Sequence, residues 1–99
     1  MHCRPGAPRL ADAALAAGIA GLPGWTHADG AIRKTFRFGD YRATIAFVNR
    51  VAAIANEEDH HPDLSVHYDH CVVAFSTHSA GGVTQNDLIC AAKVDRLGA

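Results

Sequence analysis

The sequence predicts an α+β domain: a four-stranded antiparallel sheet with three helices packed on one face, in the order α-β-β-α-β-β-α. Three observations predict it. Between Asp40 and Glu58 the apolar residues recur every three or four positions, the period of a helix with one buried face. In two other stretches, around Ile32 to Phe38 and Leu64 to Phe75, apolar and polar residues alternate, the period of half-buried strands. Breaks at Gly39, Pro62 and Gly81-Gly82 separate these stretches, so two hairpins are divided by helices, an arrangement that gathers helices on one side of one sheet.

Residues 1–8, with Pro5, Gly6 and Pro8, read as a flexible N-terminal arm, and residues 9–99 as a single domain. From Arg9 to about Ile19, Leu10, Ala14, Leu15, Ala17 and Ile19 predict a short alanine-rich helix, ended by Gly18, Gly21 and Pro23. Trp25 then opens a strand. Asp29-Gly30 suits a two-residue hairpin because both central positions of that turn need positive φ. In the returning strand Ile32, Phe36 and Phe38 share one face, and Arg33, Thr35 and Arg37 the other.

Asp40 supplies an N-cap for the central helix, along which Thr44, Phe47, Val48, Val51, Ile54 and Ala55 form the apolar stripe. Pro62 cannot continue a helix and pushes His61 out of the α region, so the pair His60-His61 falls at the helix end. Leu64, Val66 and Tyr68, then Cys71, Val73 and Phe75, give two antiparallel strands with a turn near Asp69-His70, or one long bent strand. Thr84 and Asp87 form a capping-box pattern, and Leu88, Ala91, Ala92 and Asp95 define one face of a last helix. Val72 and Ala74 point away from Val73 and Phe75, which predicts an apolar open sheet face that a second copy of the chain would cover.

The formal net charge of −1 and pI near 6.6 leave no basic face for nucleic acid, and no apolar run approaches the roughly 20 residues of a membrane span. No signal-peptide pattern opens the chain, and three widely spaced cysteines make neither a zinc-type pair nor a disulfide framework. A reducing cytoplasm is the expected location.

The chemistry-bearing residues are Asp59-His60-His61-Pro62 and, sixteen residues later, His78 in Thr77-His78. Histidine both gives and takes a proton near neutral pH, so three of them suggest proton transfer. Single positions have plainer explanations. A histidine at a helix C-terminus is usually a solvated cap, Asp87 is explained by the capping box, and Trp25, Phe47 and Tyr68 by a core. Asp59 reads as surface, as do His2, His27, His67 and His70. Seven histidines also raise a metal site, but neighbours on a helix point about 100° apart, so His60 and His61 would hardly share an ion.

The ordered set His60-His61-Pro62, five residues, Tyr68, nine residues, His78, eight residues, Asp87 resembles the signature of the pterin-4a-carbinolamine dehydratases, or 4a-hydroxytetrahydrobiopterin dehydratases. Leu22-Pro23-Gly24-Trp25, Phe36-Arg37-Phe38, Phe47 and Gly81-Gly82-Val83-Thr84 agree with it, from about residue 10 to 97. One position departs: the family pattern usually has a charged residue four places before the paired histidines, and this chain has Asn56.

The resemblance implies a hydro-lyase that takes water from 4a-hydroxytetrahydropterin to give quinonoid dihydropterin, recycling the cofactor of aromatic amino-acid hydroxylases. It implies no metal or cofactor. His60, His61 and His78 would be the catalytic set, His61 and His78 moving protons and His60 orienting the pterin. Asp59, Pro62, Thr77, Ser79, Ala80 and Asp87 would bind substrate. The implied partners are the pterin, further copies of the chain as a homodimer or homotetramer, and an aromatic amino-acid hydroxylase, with no direct nucleic-acid or membrane contact. The other class the family contains, a non-catalytic protein-binding module that stabilises dimers, leaves no mark that the sequence separates from the first.

Overall fold

The computed structural model describes residues 2–97. The element order is α1 (Asp12–Ala20), β1 (Thr26–Ala28), β2 (Ala31–Arg37), α2 (Tyr41–Glu58), β3 (Asp63–Val66), β4 (His70–Phe75) and α3 (Gln85–Asp95), with one 3₁₀ turn at His78–Ala80. All strand pairings are antiparallel, in the order β1-β2-β4-β3. The α-β-β-α-β-β-α reading therefore holds, and the chain between Leu64 and Phe75 is two strands, not one bent strand.

The core forms where the inner faces of the two central strands meet the helices. Ile32 and Phe36 of β2 and Cys71, Val73 and Phe75 of β4 are buried with Leu15 of α1, Phe47 and Val51 of α2, and Cys90, Ala91 and Val94 of α3. Each large side chain buried in this way stabilises the fold by roughly 1.5–3 kcal/mol relative to leaving it exposed. Trp25 closes one end, its ring edge-on to Phe36 and its Nε1–H donating to Asp95 at 3.1 Å.

The caps read from sequence are present. Asp40 accepts the Ala43 N–H at 2.8 Å, and Thr84 with Asp87 makes a full capping box. The hairpin turn places Asp29 at φ 54° and Gly30 at φ 75°, the left-handed geometry that Asp-Gly supplies at low strain.

Four expectations change. Helix α1 starts at Asp12, not Arg9, because Arg9 bridges Thr84 and the Leu10 N–H donates to Val83, which draws that stretch into extended backbone. Tyr68 is 66% exposed and stacks on Tyr41 instead of joining the core, because the β3–β4 turn falls on Tyr68-Asp69 and lifts it off the sheet. On α3 the buried positions are Asn86, Asp87, Ile89, Cys90, Ala91 and Val94, with Leu88 and Ala92 at the margin; the polar Asn86 and Asp87 lie inside because they are fully bonded there. The open sheet face is mixed, not apolar: Val72 and Ala74 are half-buried between Thr35 and Arg33 on β2 and Ser65 and Asp63 on β3.

Among the described residues no helix is long and apolar enough to cross a membrane.

Candidate active site

The site is built where α2 ends and α3 begins. Helix α2 stops at Asp59, whose φ of 50° turns the chain out of the helix, and the His60 N–H still reaches back to the Ala55 carbonyl at 3.1 Å. That reversal delivers the His60 ring inward, onto the first turn of α3. There its Nε2 meets Asp87 Oδ1 at 2.5 Å, and its plane lies nearly parallel to Phe75, 8° apart with centroids 6.0 Å apart.

Asp87 is fully buried, and its second oxygen accepts the Thr77 hydroxyl at 2.9 Å and the Thr84 N–H at 2.8 Å. The Thr77 hydrogen is spent on Asp87, so the 2.9 Å contact between the two threonine hydroxyls has Thr84 as donor. An ionised carboxylate only accepts, so the facing His60 nitrogen carries a proton and Nδ1 is left for other partners. A buried carboxylate with this many donors is the arrangement that keeps such a charge tolerable away from water. Asp87, expected among the substrate-binding residues, is not in the lining of the cavity beside His60 and bonds the His60 ring instead.

His61 stays outside that network. It is exposed, with Nε2 3.3 Å from Asn56 Oδ1, so the uncharged residue that departs from the family pattern is its hydrogen-bond partner. His78 is exposed at the start of the 3₁₀ turn, which Gly81 at φ 76° reverses so that Thr77 and Gly82 pair as a bridge.

A cavity of about 320 Å³ opens beside His60. Asp59, His60, Thr77 and Ser79 line it; His61, Pro62, His78 and Ala80 do not. A larger cavity of about 540 Å³ holds none of the expected groups, being lined by residues 4–8 with His2, Gln85, Asn86 and Ile89. The structure thus gathers four of the nine expected residues around one cavity, places Asp87 behind it, and leaves His61 and His78 exposed next to residues of its lining.

Much of the remaining lining comes from residues that the sequence did not mark. Residues 3–7, expected as a loose arm, line the smaller cavity, and residues 4–7 of them line the larger one as well. Glu58, read from sequence only as the end of a helix, is 2% exposed in its side chain and accepts from Lys93 at 2.5 Å, the Cys3 N–H at 2.8 Å and the His2 ring at 2.8 Å. Those donors, Lys93 foremost, hold its carboxyl down from 4.5 to about 2. Asn86 grips Arg4 by both backbone groups, accepting its N–H at 2.9 Å and donating to its carbonyl at 2.7 Å. Cys3 Sγ rests 3.4 Å from Cys90 Sγ; burial pushes both thiols upward and so keeps them protonated. No local periodicity signals such contacts.

Among the described residues, one grouping of three His and acidic side chains lies close enough to share an ion: His2, Glu57 and Glu58. Lys93 already occupies Glu58 there.

Residues 8–97 match the family model described as pterin 4 alpha carbinolamine dehydratase. The chain belongs to that family of hydro-lyases. Among curated dehydratase relatives, a protein of Stenotrophomonas maltophilia that bears the name pterin-4-alpha-carbinolamine dehydratase is 56% identical over 91 residues, covering 90% of this chain and 78% of that protein. One of the same name from Chromobacterium violaceum is 52% identical over 99 residues, covering 98% of this chain and 92% of its own. A Brucella melitensis crystal structure titled transcriptional coactivator/pterin dehydratase superposes with TM-score 0.87 at 31% identity, covering 92% of this chain and 99% of that one. A pterin dehydratase-like protein, described as a RuBisCO assembly factor in the alpha-carboxysome, shares the fold with TM-score 0.63 at 24% identity, covering 76% of this chain and 87% of its own.

Proposed function

We propose that this protein removes water from 4a-hydroxytetrahydropterin, giving quinonoid dihydropterin, with His61 and His78 moving the protons and His60 orienting the ring. The observation that carries the reading is the Asp87–His60 pair, a buried carboxylate locking one histidine at a cavity wall, with His61 and His78 exposed and each next in sequence to a residue of that wall. A locked, stacked imidazole suits binding a flat heterocycle; an exposed one can change its protonation state without unfolding a network.

The reaction breaks the bond between C4a and its hydroxyl. One group protonates the departing oxygen, and another takes a proton from a pterin ring nitrogen, so water leaves and the ring gains a double bond. Each positioned acid or base contributes roughly 10² to 10⁴ in rate. His61 and His78 fill these two roles. Asp59, Thr77 and Ser79 offer polar groups at the cavity wall, and Pro62 and Ala80 shape its approach. Asp87 acts through His60. At about 320 Å³ the cavity lies at the small end of the roughly 300–1,000 Å³ of small-molecule sites, which fits a compact bicyclic substrate. Three free thiols suit a cytoplasmic setting, and an aromatic amino-acid hydroxylase is the partner whose product this activity would consume.

Stopped-flow assay on freshly generated 4a-hydroxytetrahydropterin tests the reading. The protein accelerates dehydration over buffer by at least about 100-fold, and the double variant His61→Ala/His78→Ala loses that acceleration. A wild-type rate equal to buffer defeats it.

A second reading has one observation in its favour, the coactivator half of the Brucella structure's title at 31% identity. In that reading the chain is a homodimer or homotetramer that binds another protein. Capture of a partner by a preparation inert toward the pterin would favour it.

A further inference from the structure

We propose that the N-terminal arm, residues 3–7, is a working wall of the substrate cleft, holding the pterin from the side opposite His60 and setting how tightly it binds. This rests on the dehydratase reading of the cleft.

The arm has no regular secondary structure, yet it is fixed at both faces of the cleft by the elements that fix the histidine. On α2, Glu58 holds the Cys3 N–H at 2.8 Å and, two positions later, His60 lines the cavity. On the first turn of α3, Asn86 clamps the Arg4 backbone at 2.9 and 2.7 Å, and its neighbour Asp87 holds the His60 ring. Two consecutive residues of one helix thus support the two opposing walls of one cavity. The Cys3 side chain is seated against Cys90 at 3.4 Å, and the later pairing of Arg9 with Thr84 ties the arm's far end to the same helix start.

The cavity exists because of this strap. Five of its eleven lining residues are residues 3–7; without them the His60 side would be an open shelf. The family model covers the histidine wall from residue 8 onward, and the Chromobacterium violaceum relative, aligned over 98% of this chain, extends the likeness into the arm.

A wall that contacts substrate in ground and transition states alike changes KM with little change in kcat, whereas general loosening of the site lowers kcat as well. The test compares the full chain with a variant lacking residues 2–7, and with Ala7→Trp in the full chain, which narrows the cavity without removing the clamps. Circular dichroism checks folding. Each variant is expected to raise KM about tenfold or more, with kcat within about twofold of wild type. Wild-type KM in both variants overturns the proposal; should the deletion not fold, Ala7→Trp alone decides. If the wild-type chain does not dehydrate the substrate, the dehydratase reading fails, and the arm is judged by fluorescence binding of 7,8-dihydropterin. A tenfold weaker dissociation constant in the variants then upholds the wall, and equal constants, or no binding by wild type, overturn it.

Discussion

His60 and His61 are neighbours in the chain and opposites in the structure. The His60 side chain is 12% exposed, pinned to a fully buried Asp87 and laid against Phe75, whereas His61 is exposed with a single long contact to Asn56. What separates them is the left-handed residue Asp59, which reverses the chain as α2 ends, and Pro62, which fixes the exit. The difference teaches that one sequence motif delivers two physical tasks: an imidazole embedded in a network is good at holding its position, and an exposed one is good at exchanging protons.

The comparison breaks most visibly at Asp87. Removing it leaves His60, Thr77 and the Thr84 N–H without their shared acceptor inside the protein, and breaking such a buried pair costs about 3–5 kcal/mol. Urea unfolding of Asp87→Ala should show that loss, while His61→Ala changes stability by no more than about 0.5 kcal/mol, the ordinary range for a surface substitution. Equal stability of the two variants would erase the distinction.

Glu58 sharpens the comparison from the arm side. Its carboxyl is held near 2 in the folded protein against 4.5 ordinarily, so the unfolded chain binds the proton more readily between those values. Its contribution is complete above about pH 4.5 and is lost as pH falls toward 2. Glu58→Gln should therefore be less stable than wild type at neutral pH and lose less on acidification through that window, read by urea midpoints at a series of pH values. Parallel curves for the two proteins would contradict the assignment.

The smallest effect is expected at Asn56. A carboxylate in its place faces His61 Nε2 and favours the imidazolium, so Asn56→Glu should move the limb of the kcat/KM profile that reports His61 to higher pH. An unmoved profile would mean that His61 does not take part in the rate-determining proton step.

Much of this was legible in the sequence because it is local. The Asp40 cap, the Asp29-Gly30 hairpin, the Thr84–Asp87 capping box and the helix-ending Pro62 each act over a few residues, and together they set the element order. The placing of the histidine pair at the end of α2 followed from them. Contacts closing over long separations had no such signal: His60 to Asp87 spans 27 residues, Cys3 to Glu58 spans 55, and Cys3 to Cys90 spans 87. Asp87 looked like a capping residue and is one through Oδ2, but its Oδ1 holds His60, a task that only the packed structure brings to it. Tyr68 misled for a related reason, since alternation placed it on a strand and a one-residue shift of the turn took it off.

The division of labour is tested most directly by stopped-flow kinetics on the three single variants His60→Ala, His61→Ala and His78→Ala. The account predicts that His61→Ala and His78→Ala each lose roughly 10² to 10⁴ in kcat with little change in KM, and that His60→Ala shows its main deficit in KM and stability. Wild-type kcat in both exposed variants, with the rate loss confined to His60→Ala, would contradict it.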